Sequence, residues 1–350
     1  MVKVALSLPW LQAFHVFGIV SPDAVKTVLE SVDSLKHVVI EGKVGLSIAE
    51  KKSIAEGWCL SKFASLSKLQ RLELRSLPKD VTNYLLSFQY ECLCSLEFRF
   101  VDHAPSISKG ALKTLRHISF HDGNLDGGRS ELVETLTKAS NLDSLEFMEC
   151  RLGSLDSLKP GDRFDTVTSL DTSFYNKVGN VQQCFSPLMK AITMGCFPCL
   201  RKLTLVIDRT ENDEQWLSDL GSALMACSVT LQKLHLMTYF FLPDAAISML
   251  KILESRCNLE LRLEMRSLES DEDGREKATM ATITCLTSLV HIRMMRWNLY
   301  DIEELLKLPK LKEVWFLACD VDLKKALELK EKIERVGLLN VQARSSDGEH

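Results

Sequence analysis

The sequence predicts an α/β solenoid, a horseshoe of strand–helix repeats with a parallel β-sheet on the concave face and helices on the convex face. Three observations predict it. A large apolar side chain followed three and five positions later by two more recurs twelve times along the 350 residues. Amphipathic stretches that read as helices lie between the copies. The positions between the apolar ones are mostly polar, as in Gln70, Arg71, Glu73 and Arg75, or Arg116, His117, Ser119 and His121. A doubly wound sheet, the competing arrangement of alternating strands and helices, is covered on both faces and makes near-continuous apolar strands. Here one face of each strand is meant to be wet.

The frame opens at Leu11, Phe14 and Val16 and continues through Leu35, Val38 and Ile40. Leu69, Leu72 and Leu74, then Leu93, Leu96 and Phe98, then Leu115, Ile118 and Phe120, then Leu142, Leu145 and Phe147 are its clearest copies. Val167 and Leu170 carry Thr172 in the third place, and Asn258 takes the first place before Leu261 and Leu263. Leu200, Leu203 and Leu205, and Leu231, Leu234 and Leu236, stand between those two. Leu289, Ile292 and Met294, and Leu311, Val314 and Phe316, close the series. Helices are expected in DAVKTVLESV from Asp23, SELVETLTKA from Ser130, EQWLSDLGSALMA from Glu214 and DAAISMLKILES from Asp244. Pro22, Ser130 and Pro243 mark helix starts. The array spans 11–322, a charged capping helix is expected over 323–340, and 341–350 reads as a disordered tail.

A lone repeat cannot fold. Each strand buries three large side chains at roughly 1.5–3 kcal/mol each, while ordering about 25 residues costs more than that; a stack recovers the difference because each repeat leans on its neighbours. The lead-in over 1–10 is itself apolar, with Val4, Leu6, Leu8 and Trp10, and gives Leu11, Phe14 and Val16 no polar cap. A missing upstream domain or a second copy of the chain, making a homo-oligomer, is expected to cover the first repeat.

A net charge of −4 lacks the basic excess that nucleic acid or anionic lipid would attract. No run approaches the ~18–20 apolar residues of a membrane span, so no membrane insertion is expected. The amino-terminal segment has no small-x-small cleavage site. Eleven cysteines without regular spacing point to a reducing, cytoplasmic setting. Cys196 and Cys199 form the one CxxC, without the second pair a zinc site needs, and Cys184 and Cys227 stand alone. No metal or cofactor is expected.

LRHISFHDGNL from Leu115, LDSLEFMECRL from Leu142 and LKEVWFLACDV from Leu311 resemble leucine-rich repeats of the ribonuclease-inhibitor-like or cysteine-containing type. The resemblance covers residues 8 to 340 or so. It implies that Cys150 and Cys319, at the ninth repeat position, hydrogen-bond the turning backbone. Such repeats occur in ribonuclease inhibitor, ubiquitin-ligase substrate receptors, GTPase activators for Ran, and the carboxyl ends of nucleotide-binding immune receptors. The irregular repeats and mixed concave face depart from ribonuclease inhibitor. No room for an F-box precedes the first repeat, and no GxxxxGK[ST] loop is present.

No catalytic set emerges. The eight histidines are scattered, and the run from Glu269 to Lys277 lacks most ligands of a calcium loop. The concave face is more informative. Glu73, Glu97, Glu146 and Asp171 make its early strands acidic and a surface for a basic partner; Arg262, Arg293 and Trp315 make its later strands basic and aromatic. Phe174, Val206, Ile207, Met237, Met295, Trp315 and Leu317 form an apolar stripe flanked by Arg262, Arg293 and Arg296. Exposed patches rich in Trp, Met and Arg mark interaction sites. The expected function is a non-enzymatic protein-recognition module that takes its partner on this face. The alternatives are the sensing array of an innate-immunity receptor, and an enzyme regulator or ubiquitin-ligase receptor.

Overall fold

The computed structural model of the chain describes residues 11–18, 27, 32, 34–42, 68–88, 90–101, 105–125, 129–174, 181–207, 214–239, 244–255, 258–266, 280–299 and 301–343. The lead-in over 1–10, the helix from Asp23, the run from Glu269 to Lys277 and the tail beyond 343 lie outside the described residues.

The twelve frames coincide with strands β1 (Ala13–Phe17), β2 (His37–Glu41), β3 (Arg71–Arg75), β4 (Ser95–Arg99), β5 (His117–His121), β6 (Ser144–Met148), β7 (Ser169–Phe174), β8 (Lys202–Ile207), β9 (Lys233–Thr238), β10 (Glu260–Arg266), β11 (Leu289–Met295) and β13 (Glu313–Leu317). With β15 (Arg335–Leu339) they make one 13-stranded sheet, each strand beside the next in sequence, that does not close into a barrel. Short strands β12 (Asn298–Leu299), β14 (Asp320–Val321) and β16 (Gln342–Ala343) form a second parallel ribbon. Between strands lie helices α1 (Lys79–Leu86), α2 (Lys109–Thr114), α3 (Arg129–Lys138), α4 (Val181–Thr193), α5 (Glu214–Cys227) and α6 (Asp244–Glu254), with α7 (Leu323–Lys332) before β15. Alternating strands and helices around an open parallel sheet make this a repeat solenoid. No described helix is long and apolar enough to cross a membrane.

Two segments differ from expectation: Gln342 and Ala343, read as part of a disordered tail over 341–350, pair with β14 as β16, and the capping helix is shorter than expected. The helix read over 323–340 stops at Lys332, and β15 follows it. Asp322 caps the start, its carboxylate accepting from the N–H groups of Lys324 and Lys325 at 2.9 and 3.2 Å. Ile333, Val336 and Leu338 repeat the frame a thirteenth time, with Val336 beside Val314 and Leu338 beside Phe316. The charges from Lys330 to Glu334 gave that stretch the look of a helix, and parallel pairing with β13 overrides it.

The chain divides into two compact units. In the first (Met1–Asp171 with Gln183–Cys199), alternate residues of each strand enter the core. Val38, Leu72, Leu96, Ile118 and Leu145 form one buried ladder, and Ile40, Leu74, Phe98, Phe120 and Phe147 the next. Phe98, Phe120 and Phe147 are stacked, with centroids 5.0 and 5.6 Å apart and planes within 12°. The residues that follow β3, β4, β5 and β6 turn left-handed: Ser76, Phe100, Asp122 and Glu149 all have positive φ. The N–H groups of Ser76, Phe100 and Asp122 donate to the last carbonyl of the following strand, at 2.9, 2.9 and 2.8 Å. These bonds hold residues in a conformation that costs about 1 kcal/mol or more outside glycine. Gly42 follows β2 without a left-handed φ; close approach of backbone requires it, since a Cβ would fall 2.4 Å from the Ser76 carbonyl oxygen.

The second unit comprises Thr172–Gln182 and Leu200–His350. Leu203, Leu205, Leu234, Leu236, Leu261 and Leu263 are buried in register across β8, β9 and β10. Between β10 and β11 the register shifts at Leu261/Arg262, so that Leu261 faces Leu289 and Arg262 faces His291. Val290 is the extra residue of this bulge.

Candidate functional site

Strand periodicity turns three residues per strand away from the core, and these outward residues carry the chemistry. In the first unit they form an ion-pair network. Glu73 and Glu97, only 3% and 5% exposed, lie side by side on β3 and β4. Arg99 bridges them, with Nε 3.0 Å from Glu73 Oε1 and Nη2 2.6 Å from Glu97 Oε1. Arg75 Nε holds Glu73 at 2.5 Å and Arg71 Nη2 holds Glu97 at 2.8 Å. Arg75 Nη1 continues to Glu41 at 3.2 Å, which His15 Nε2 meets at 3.2 Å. Burial opposes ionisation of Glu97, but the hydrogen bonds from Arg99 and Arg71 outweigh it and hold its carboxyl below the ordinary range. The acidic surface expected from Glu73 and Glu97 is therefore not offered to a basic partner. The flanking strand positions supply arginines that cover and neutralise both carboxylates.

His37, His117 and His121 border this network. Burial, chiefly, lowers the pKa of each; Arg71 pushes His37 and His117 further down and Arg99 does so for His121, while Glu97 pulls all three upward. The unfolded chain then binds protons more readily than the native one as pH falls through the ordinary value of 6.5. Stability contributed by these histidines is full above that value and declines below it, until the native histidines protonate. Glu97 adds a second loss below 4.5. Urea unfolding should show lower stability at pH 5.5 than at 7.5, and replacing His37, His117 and His121 together by Gln should flatten that difference. An unchanged slope in the triple variant would assign the pH dependence elsewhere.

In the second unit the outward residues form rows set by the strand register. One runs Thr204, His235, Arg262, His291, Glu313 and Arg335; the next runs Val206, Met237, Glu264, Arg293, Trp315 and Gly337. Glu264 is the hub, with His235 Nε2 at 3.1 Å, Arg293 Nη1 at 3.3 Å and His291 Nε2 at 3.9 Å. Burial pushes its carboxyl up, but the His235 hydrogen bond and the neighbouring charges keep it below the ordinary range. Glu313 accepts from His291 Nδ1 and Arg335 Nη1, both at 2.9 Å. Lys202, Lys233, Arg262, Arg266, Arg293 and Arg335 outnumber Glu260, Glu264 and Glu313 by three on this face.

Trp315 is half-buried among these charges, and its ring seats on Gly337. A Cβ there would come within 2.0 Å of Trp315 Cε3. Met237, Met295 and Leu317 are also half-exposed, while Arg262 and Arg296 are exposed. Arg293 is partly covered by its contact with Glu264.

The remaining stripe residues are corrected by the structure. Phe174 and Ile207 share the parity of Leu170 and Leu203, so they enter the core and are buried. Val206 keeps the outward parity but is buried as well. Ile292 and Met294 pair with Leu263 and Met265, two residues further along β10 than the frame implies, which takes Arg293 out of the row of Arg262 and sets it opposite Glu264.

The sequence places its scattered histidines on the surface or the concave face, and the described strands agree. His15, His37, His117, His121, His235 and His291 all occupy outward strand positions, a regularity that counting two, four or six places from each frame start reveals. Cys150 Sγ reaches the carbonyls of Phe120 and Met148, both at 3.3 Å, and Cys319 Sγ those of Met294 and Leu317, both at 3.4 Å. Cys196 is buried, which raises its thiol pKa, while Cys199 is exposed. No cluster of three or more His, Cys, Asp or Glu suited to a metal exists among the described residues. No protein-family model matches the chain, and no curated protein matches its sequence.

Proposed function

We propose that the chain is a leucine-rich-repeat recognition module without catalysis of its own, which captures an acidic protein segment on the outward face of β9 to β15. The observation that carries this reading is Trp315, half-exposed over Gly337 beside Met295 and Leu317, within a face where Lys233, Arg262, Arg266, Arg293 and Arg335 outnumber Glu260, Glu264 and Glu313 by two. A large aromatic anchor within a charged surround is the composition of a binding hot spot. The acidic segment would supply one aliphatic or aromatic side chain to the Trp315 region and carboxylates to Arg262 and Arg335. The leucine-rich-repeat assignment is supported by the thirteen frames and by Cys150 and Cys319 on the turning backbone.

The test is an array of extended peptides varying in charge and in a single anchor residue. Acidic peptides with an anchor should bind, and Trp315→Ala and Arg293→Glu should each weaken them by about tenfold or more. Circular dichroism checks that both variants stay folded. Acidic peptides that bind the variants as well as the parent chain would place the site elsewhere.

A further inference from the structure

Both terminal strands of the sheet are built like interior ones. From β2 to β13, the two core residues of each strand are essentially buried, as in Leu72 and Leu74, Leu96 and Phe98, or Val314 and Phe316. At β15 the equivalent residues, Val336 and Leu338, remain partly exposed. At β1 Phe14 does as well. The outward residues that end these two strands are Leu339, 51% exposed, and Phe17, 70% exposed. They occupy the same place in the frame, four residues into a strand that begins two residues after Ile333 or Leu11.

We propose that copies of this chain associate head to tail, with β15 of one copy pairing in parallel with β1 of the next. The interface continues the one that joins successive strands inside the chain. Carrying the internal register across it sets Val336 beside Phe14 of the second copy, Leu338 beside Val16, and Leu339 beside Phe17. The half-exposed core residues of both ends then cover one another, and the small Gly337 faces His15 of the second copy. An edge strand with part-exposed apolar residues templates the addition of a further strand. The matching frame, with complementary unburied residues, makes the chain's own first strand the fitting occupant. The contact is heterologous, so one copy can bind a neighbour at each end.

Leu339→Asp and Phe17→Asp test it on the full chain, because each changes an exposed side chain that leaves the core intact. Sedimentation velocity across a concentration series should show mass rising with concentration for the parent chain and a monomer for either variant alone. An equimolar mixture of the two variants should form a heterodimer and nothing larger, since one intact interface remains between them. Matching thermal midpoints establish that both variants are folded. A parent chain that stays monomeric throughout would overturn the proposal, as would variants that still self-associate. If only one variant abolished association, or the mixture stayed monomeric, the contact would not be head to tail.

Discussion

Phe120→Ala should destabilise the chain by about 3 to 5 kcal/mol, the range for emptying an aromatic site in a closed core. Phe120 is fully buried and stacked between Phe98 and Phe147. Truncation removes its own transfer free energy and ends two ring contacts worth about 0.5 to 1.5 kcal/mol each. Neither neighbour can collapse into the gap, because strand pairing fixes Phe98 and Phe147 on either side of it. The fold type sharpens the expectation. In a repeat array stability is a sum of repeat and interface contributions, so a defect at β5 weakens two interfaces at once. Urea unfolding should show a lower midpoint and a shallower or split transition, and hydrogen exchange should accelerate from β4 to β6 first. Phe120→Leu, which fills most of the volume, should recover the larger part of the loss. A Phe120→Ala midpoint within experimental error of the parent would show that the stack contributes little.

Those ring positions were legible in the sequence because one rule covers them. A period-two strand must bury the second and third residues of the frame, and every frame from Leu35 to Phe316 obeys it, even where Thr172 replaces a leucine. What the rule does not carry is the coupling between neighbouring strands. The frame does not show that β10 buries a third residue, Met265, so that Ile292 and Met294 pair with Leu263 and Met265 and Arg293 lies opposite Glu264 rather than Arg262. Side-chain reach is equally hidden. Glu73 and Glu97 occupy outward positions and read as a surface, but the long arginines two residues along their own strands fold back over them. Phe174 and Ile207 failed for a simpler reason, since each stands one residue off the outward parity. The thirteenth strand was written in Ile333, Val336 and Leu338 and masked by the charges before it.

The largest electrostatic effect should come from Arg99→Met. Arg99 is the one guanidinium that contacts both buried carboxylates described on β3 and β4. Without it Glu73 retains Arg75 and Glu97 retains Arg71 and a more distant His121, so two nearly buried negative charges lie side by side with less cation than they need. Breaking a buried ion pair from one side costs about 3 kcal/mol or more. Glu73→Gln should cost less, because the arginines it releases are partly exposed and can turn to water. The pH dependence separates charge from packing. Glu97 is held below the ordinary carboxylate range, so its contribution to stability is present above 4.5 and lost as pH falls through its native pKa. In Arg99→Met that depression is relieved, and a protonated carboxyl no longer requires the lost partner. The stability gap between parent and variant should therefore be widest near neutrality and narrow as pH falls below the carboxylate range. A gap that stayed constant from pH 7 to about pH 2, through the whole carboxylate range, would assign Arg99 a packing role, its aliphatic stem covering β4, and would remove the ion-pair network as a source of stability.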